Sequence, residues 1–396
     1  MLFSKQKVIR AAIAVALILI AALIIVGIVA AVLPKTSDKD DFSDSINTEN
    51  ETRAVWISFL EMQEILTEKS ESEFTALICG YLENCRTSGI NTVIFHARSN
   101  GDAFYKSALF PTSVYFTGVR QKTAPFDPLE ITIREAHARG IRVEAWINPY
   151  RGPRIEDGKP LIEDGIFSKW QGTDKVFICE NGGITYHYFN PACPEVQQYV
   201  LDGVREIVAG YDVDGIHFDD YFYPTTEEWV DAAYYEQYGD GLSLADFRRR
   251  TVSDFIARVY SAIKSVRDIP FGISPAGNIQ SNLELYYADV KLWGRRSGYV
   301  DYLMPQIYWS FGECNLSYDT ALHEWEKIVT RDRVKLMVGL AAYKVGDNEF
   351  WQDGDILARQ VRLARTLPKY SGYALFRYSI LFSSVCQTER ENLFKN

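Results

Sequence analysis

Two neighbouring acids, Asp219 and Asp220, end an apolar run in the stretch YDVDGIHFDDYFYP, which covers residues 211–224, and tyrosines follow them. A third acid, Glu144, lies in the segment IRVEAWINPYR. Carboxyl groups at the end of a buried strand can perform general acid–base chemistry, in which one acid donates a proton and another stays ionised. We therefore take Asp219 as the first candidate for a catalytic carboxylate, with Asp220 or Glu144 as the second.

The elements around these acids form a repeating pattern. Short apolar segments alternate with amphipathic helical stretches, which is typical of parallel strands joined by crossover helices. The strand segments begin at Arg53, Asn91, Ile141, Val213, Pro270, Asp301, Arg333 and Gly372. Eight such units in about 340 residues predict an α/β fold, a TIM (β/α)8 barrel with loop insertions. A doubly wound sheet is disfavoured, since no glycine-rich phosphate loop follows the first strand.

Strand alternation predicts which side chains face the barrel axis. If Ile216 and Phe218 face the helices, His217 and Asp219 face inward, near the strand ends where barrel enzymes place their active sites. The same alternation turns the following residues inward: His96, Arg98, Glu144, Trp146, Asn148, Gln306, Tyr308 and Arg377. So many polar side chains at one end of a barrel indicate a functional site.

Aromatic and basic residues near the strand ends complete the candidate site. Tyrosine and tryptophan rings offer apolar faces for stacking, and an inward guanidinium needs an anionic partner. We predict substrate contacts from Arg98, Asn148, Tyr150, Arg151, His217, Tyr221, Tyr223, Gln306, Tyr308, Trp309 and Arg377. Structural alternatives remain open: Asp220 as a cap or ion-pair partner for the following loop, His217 as a support for an aspartate, and Glu144 as an ion-pair partner of Arg98 or Arg142.

The first 33 residues differ from the rest of the chain. Three basic residues precede an uncharged apolar run of 23 residues, 11–33, which is long enough to span a bilayer core. We predict a signal anchor over residues 1–33 with its basic tip in the cytoplasm, a flexible linker over 34–52 and an extracellular barrel over 53–396. A cleaved signal peptide is the alternative.

Composition and motifs exclude several classes of function. The formal net charge of −10 argues against nucleic-acid binding. The six cysteines show no metal-ligand spacing, so we expect no metal site and no cofactor, and both disulfides and buried thiols remain open. The chain contains no GxSxG, HExxH or Walker motif, which disfavours serine hydrolases, zincins and nucleotide hydrolases.

Several segments in order along the chain resemble the glycosyl-hydrolase-like 10 family. They are RAVWIS, GDAFYKS, AHARGIRVEAWINPYR, FNPACPEVQQYV, YDVDGIHFDDYFYP, FGISPAGN, DYLMPQIYW, VGLAAYKV and GYALFRYS. The resemblance runs from Arg53 to about Ser379. It implies a TIM barrel that cleaves peptidoglycan glycan strands lacking stem peptides (denuded strands). The best-understood type of the family is associated with the cell-division machinery, so we expect cell-division proteins as partners.

The chain departs from related patterns at three positions. DGIHFDDYFYP and PQIYW are similar to motifs of family 18 chitinases, but Tyr221 stands where those enzymes carry their catalytic glutamate. Glu144 and Ser99 stand where the glycosyl-hydrolase-like 10 family more often has histidine and proline. The alternatives are a non-catalytic glycan-binding protein of the cell wall and a glycosidase of another exported polysaccharide.

Denuded strands carry the lactyl carboxylates of their muramic residues. An inward arginine could bind such a carboxylate through two parallel hydrogen bonds. Arg98, Arg151 and Arg377 are our candidates for this contact.

Overall fold

The computed structural model describes residues 50–119, 123–155, 158, 161–163, 165–220, 222–330, 332 and 334–395. Eight parallel strands close into a barrel, in sequence order around the ring. They are β1 (Thr52–Ile57), β2 (Thr92–Arg98), β3 (Arg142–Ile147), β7 (Gly215–Phe218), β8 (Phe271–Ile273), β9 (Tyr302–Leu303), β10 (Lys335–Ala341) and β11 (Tyr370–Phe376). All eight lie within the predicted segments or extend them by a few residues, so the predicted barrel is confirmed.

Helices cover the outside of the barrel. The longer ones are α2 (Glu71–Thr87), α4 (Pro128–His137), α6 (Pro194–Gly210), α8 (Leu244–Val266), α11 (Tyr318–Ile328) and α12 (Ile356–Ala364). The shorter ones are α1 (Phe59–Leu66), α3 (Val114–Thr117), α5 (Ile166–Trp170), α7 (Ala232–Tyr238), α9 (Ile279–Glu284), α10 (Val290–Arg295), α13 (Tyr378–Leu381) and α14 (Gln387–Leu393). N-cap residues fix where several helices begin: Ser58 and Ser70 form capping boxes at α1 and α2, and Asp127 caps α4.

The strands separate two apolar regions. Outward residues such as Val55 and Phe218 join the large core between barrel and helices. A smaller cluster fills the barrel axis and consists of Ala54, Trp56, Ile94, Trp146, Tyr302, Met304, Met337 and Ala374. The predicted alternation therefore holds on β3 and β7, where Glu144, Trp146 and His217 face inward.

A small antiparallel sheet, which we did not predict, follows β3. It contains β4 (Arg151–Arg154), β5 (Val176–Asn181) and β6 (Ile184–Phe189) in the order β4-β6-β5. The sequence of β4, RGPR, contains a glycine and a proline, which are rare in strands. This sheet brings Arg151 to the C-terminal end of the barrel.

The described barrel begins slightly before the predicted boundary. Glu51 is buried and accepts two hydrogen bonds of 2.8 Å from Arg365 and one of 2.7 Å from Tyr370. Glu51 and Thr52 thus belong to the folded domain.

The predicted anchor and the linker up to residue 49 lie outside the described residues. Among the helices that are described, none is long and apolar enough to cross a membrane. The six cysteines are free thiols.

Candidate active site

A cavity of about 240 Å³ opens at the C-terminal ends of the strands, and we call it the mouth cavity. Its lining residues are Trp56, Ser58, Phe59, Leu60, His96, Trp146, Arg151, Asp219, Asp220, Ser274, Gln306, Tyr308, Tyr343 and Phe376. Five of the predicted site residues meet there: Arg151, Asp219, Asp220, Gln306 and Tyr308. The cavity combines two carboxyl groups with several aromatic rings, which suits a sugar ring with its apolar faces and hydroxyl rim.

Asp219 is a buried carboxylate held by two N–H donors. It directly follows the last residue of β7, and its side chain is 3% exposed. The indole Nε1–H of Trp146 and the amide of Asn148 donate to its Oδ2 at 3.0 and 3.2 Å. Asn148 is itself oriented by the backbone N–H of Arg151 at 3.1 Å. Hydrogen bonds to the ionised form favour it, so Asp219 is suited to act as an anion.

Asp220 lines the same cavity because β7 ends before it. On a continuing strand two adjacent side chains would point to opposite faces, but the strand stops at Phe218. Burial raises the pKa of Asp220 from 3.8 to about 6, while a hydrogen bond from Gln306 and the charge of Arg151 act in the opposite direction. Asp220 therefore keeps its proton under mildly acidic conditions, as a general acid must.

Glu144, the alternative to Asp220 as the second catalytic carboxylate, does not line the mouth cavity. It faces inward as expected, but it lies two residues before Trp146 on β3, which places it about 6–7 Å deeper. It accepts a hydrogen bond from the hydroxyl of Tyr302 and lines a separate cavity of about 340 Å³ with Arg142 and Lys264. Burial raises the pKa of Glu144 to about 7.

A column of hydrogen bonds joins Glu144 to the floor of the mouth cavity. Burial lowers the pKa of His217 to about 3, so its ring is neutral. Trp56 can only donate, and its Nε1–H lies 3.4 Å from His217 Nε2. The single ring proton of His217 therefore belongs on Nδ1, which lies 2.8 Å from the Tyr302 hydroxyl. His217, predicted as a substrate contact, lies beneath Trp56 and does not line the mouth cavity.

Replacing Glu144 with glutamine should leave turnover within about threefold of wild type, because the side chain does not touch the mouth cavity. The raised pKa means that the wild-type domain loses stability as pH rises from about 4.5 to about 7. The variant removes the buried charge and keeps an acceptor for Tyr302. At pH 8 we expect it to be more stable by roughly 1–3 kcal/mol. Urea unfolding at pH 5 and pH 8 measures this difference. A large loss of turnover in a folded variant would restore the catalytic role.

Two predicted arginines are turned away from the mouth cavity. The pairing of β2 with β3 is irregular between His96 and Arg98, which reverses the alternation at Arg98. The Arg98 guanidinium is fully buried in the outer layer, 3.7 Å from the centre of the Phe110 ring. Arg377 pairs with buried Glu61 at 2.9 Å, and its neighbour Phe376 lines the cavity instead. Neither arginine lines the mouth cavity.

The remaining predicted contacts lie elsewhere or outside the described residues. Tyr150 is fully buried against α8, and Tyr223 is buried with its hydroxyl donating to Asp231 at 3.0 Å. Trp309 is half-buried against the outer core and does not line the mouth cavity. Asn148 is buried behind Asp219, so it orients that carboxylate. Tyr221 lies outside the part of the chain that the structure describes.

Several cavity residues were absent from the predicted site. His96 stacks on Trp146 with ring centres 3.5 Å apart, and burial together with the charge of Arg151 lowers its pKa well below the usual value. Trp56 could have been found by extending the alternation to β1. Tyr343 lies in a short helical turn after β10, where no alternation applies. Among the described residues, no group of three or more His, Cys, Asp or Glu side chains could hold a metal ion.

The chain shares sequence with known glycosyl hydrolases. The family model "Glycosyl hydrolase-like 10" matches residues 51–355. Glycosyl hydrolase YngK from Bacillus subtilis (strain 168) is 34% identical over 361 residues, which cover 84% of this chain and 69% of the relative. Glycosyl hydrolase DigH from Escherichia coli (strain K12) is 33% identical over 329 residues, which cover 76% and 74% of the two chains.

Solved structures with a similar fold support the barrel assignment. The PgaB (BpsB) glycoside hydrolase domain from Bordetella bronchiseptica has a TM-score of 0.57 at 12% identity, with 87% of this chain and 99% of that domain covered. Alpha-L-fucosidase isoenzyme 2 from Paenibacillus thiaminolyticus has a TM-score of 0.56 at 17% identity, with 87% and 49% covered. Since the family model spans well over half of the sequence, the chain belongs to the glycosyl hydrolase-like 10 family and is a glycoside hydrolase.

Proposed function

We propose that this protein hydrolyses the glycan strands of peptidoglycan, with a preference for denuded strands. In this proposal an N-terminal helix anchors it in the cell membrane, the barrel lies outside the cell, and cell-division proteins are its partners. The observation that carries the hydrolytic part is the pairing of Asp219, held by N–H donors, with Asp220, whose pKa is about 6, in one cavity. The substrate and the location rest on the family resemblance and on the apolar run 11–33.

The two aspartates divide the chemistry of bond cleavage. Asp220 donates its proton to the glycosidic oxygen while the bond from that oxygen to the anomeric carbon breaks. Asp219 faces the positive charge that develops on the sugar ring. It stabilises this charge directly, or it steadies an oxazolinium ion formed by the sugar's own acetamido group. Water then attacks the anomeric carbon, and the proton it loses returns to Asp220.

Aromatic side chains and Gln306 hold the sugar in place. Tyr308 and Phe376 have ring centres 6.0 Å apart, and Tyr343 meets both rings edge-on. Gln306 is itself fixed by donating to the carbonyl of Ser274 at 3.0 Å. Rings arranged in this way present an apolar wall to the face of a pyranose, while the amide beside it can bind hydroxyl groups.

Three arginines were predicted from the sequence to bind the lactyl carboxylate, and of these Arg151 lines the mouth cavity. Its Nε–H donates to the carbonyl of Ser99 at 3.2 Å, and its guanidinium lies 5.6 Å from the ring of Tyr186. Strand β4 supplies this arginine, so the inserted sheet contributes to specificity in our proposal. The lactyl carboxylate is the feature that separates muramic strands from chitin.

Replacing Arg151 with lysine tests this contact. Lysine keeps the positive charge near Asp220, but it cannot form the two parallel hydrogen bonds of a guanidinium. We expect kcat/KM to fall about tenfold on denuded peptidoglycan strands and less than threefold on chitin oligomers, a difference on the scale of one charge-assisted hydrogen bond. Parallel assays on the two substrates measure the ratio. An equal loss on both would remove the lactyl contact.

The function itself is tested with purified sacculi, with and without amidase pretreatment. We expect new reducing ends and soluble muramic-containing fragments, detected by mass spectrometry, in larger amounts from the pretreated sacculi. Binding to sacculi without new reducing ends would instead indicate a non-catalytic glycan-binding protein. Activity confined to another exported polysaccharide would overturn the substrate. Membrane fractionation of cells that express the full chain, or the chain without residues 1–33, tests the anchor.

A further inference from the structure

Trp229 is the most exposed aromatic side chain among the large apolar residues in the described part of the chain, with 60% of its surface open to solvent. It lies in the short helical turn Glu228–Val230 on the segment that continues from Asp219 and Asp220. This segment leaves the C-terminal end of β7, so Trp229 belongs to the same end of the barrel as the mouth cavity. A single exposed apolar side chain is common on protein surfaces, so the surroundings of Trp229 decide whether its ring binds a ligand.

The backbone around Trp229 is held firmly. Arg248 is fully buried and donates to the carbonyls of Thr226 and Glu227 at 3.1 and 2.7 Å. It also forms a buried ion pair of 2.6 Å with Asp231, on the other side of the turn. The amide of Asn190 donates to the carbonyl of Val230 at 2.7 Å. An exposed ring on a rigid base loses little conformational freedom when it binds a ligand.

A continuous row of aromatic rings leads from Trp229 to the mouth cavity. Trp229 meets Phe177 edge-on, Phe177 stacks on Tyr188, and Tyr188 contacts Tyr186, with ring centres 6.0, 5.9 and 6.1 Å apart. The Tyr186 ring then lies 5.6 Å from the guanidinium of Arg151, which lines the cavity. Phe177 and Tyr188 are buried supports, whereas Tyr186 and Trp229 are accessible.

The charges beside Trp229 favour one class of ligand. Glu227 and Glu228 are both exposed next to the ring. Carboxylates accept hydrogen bonds from sugar hydroxyls, but they repel the lactyl carboxylates of muramic residues and the anionic head groups of a membrane surface. A neutral pyranose with an apolar face and a hydroxyl rim fits the ring and its neighbours.

We propose that Trp229 forms a distal subsite that stacks on a neutral sugar residue of a long glycan strand whose cleaved bond lies in the mouth cavity. This inference rests on the proposed hydrolysis of glycan strands and adds that the strand extends along the inserted sheet. The four contacts of the aromatic row limit the separation of Trp229 from Arg151 to about 24 Å. An extended strand of several sugar units spans that length, so the enzyme favours long substrates.

Trp229→Ala and Trp229→Phe test the subsite in the full-length protein. On long denuded strands we expect kcat/KM to fall about five- to twentyfold in the alanine variant, and the phenylalanine variant to recover most of this loss. On the shortest strands that are still cleaved, both variants should match wild type. Tyr238→Ala is the control, because Tyr238 is an exposed aromatic residue outside the row and should not matter for either length.

The outcomes separate this inference from the proposed function. If wild type releases fragments and Trp229→Ala matches it on strands of every length, the distal subsite is overturned while hydrolysis stands. If wild type releases nothing from any strand, the proposed function fails first. Binding of chitohexaose, a neutral probe, should weaken in Trp229→Ala. Trp229-dependent binding to vesicles of anionic phospholipid, with unchanged chitohexaose binding, would instead assign the ring to a membrane contact.

Discussion

Replacing Asp219 with asparagine should lower kcat by roughly 10²–10⁴-fold on every strand that the wild type cleaves. The substitution keeps the size and shape of the side chain, and a carbonyl oxygen can still accept from Trp146 and Asn148. It removes the negative charge that faces the developing oxocarbenium ion. The loss should therefore appear in kcat, with KM changed much less, because the charge matters most in the transition state.

The measurement is the rate of fragment release followed by mass spectrometry, together with a melting curve for each protein. Asp212→Asn is a matched control, since Asp212 belongs to the same sequence stretch but is exposed and pairs with Arg267 at 2.7 Å. The control should release fragments at the wild-type rate. Unchanged release by a folded Asp219→Asn protein would remove Asp219 from the reaction.

Replacing Asp220 with asparagine should also lower kcat by roughly 10²–10⁴-fold on natural strands, through loss of the proton donor. On an aryl glycoside with a good leaving group the loss in kcat/KM should be small, because that leaving group needs no proton, whereas kcat stays low because the later attack of water still lacks its base. Burial raises the pKa of Asp220 to about 6, so the wild-type enzyme loses its acid form as pH rises through about 6. The fall in kcat near that pH should be absent from the variant.

Rates measured from pH 4 to pH 8 on both kinds of substrate test this assignment. Another group donates the proton if Asp220→Asn loses kcat/KM equally on natural and activated substrates and still shows the wild-type fall in kcat near pH 6. The two aspartate variants should also differ from each other, because only Asp220→Asn is expected to recover on an activated leaving group.

Much of the barrel could be read from the sequence because each strand presents an apolar face to the helices. That pattern is local, and it places Asp219 and the inward side of β3 correctly. Asp220 joins the cavity because the strand stops before it, which the pattern indicates less clearly. Gln306 and Tyr308 follow β9, which has only two residues and so gives little alternation from which to predict its end. Both side chains nevertheless line the cavity.

The errors have physical causes that alternation does not reveal. An irregular pairing in β2 turned Arg98 outward, and in β11 it is Phe376, not Arg377, that faces the cavity. Tyr150 and Tyr223 look like sugar-binding rings in sequence, but they pack inside the fold. Strand alternation also says nothing about the residues after a strand: Phe59 and Leu60 enter the cavity from the start of α1, and Tyr343 enters it from the short helical turn after β10.

The column from Trp56 through His217 and Tyr302 to Glu144 has a direction. Trp56 can only donate, and the Tyr302 hydroxyl donates to Glu144, so every hydrogen in the column points away from the mouth cavity. The ring of Trp56, which carries no net charge, lines the cavity, while the buried acid lies at the far end of the barrel. Burial raises the pKa of Glu144 to about 7, so at the mildly acidic pH at which Asp220 keeps its proton, Glu144 is protonated as well and brings no second negative charge to the barrel axis. The negative charge of Asp219 can then stabilise the positive charge of the sugar without a competing charge beneath it on the barrel axis.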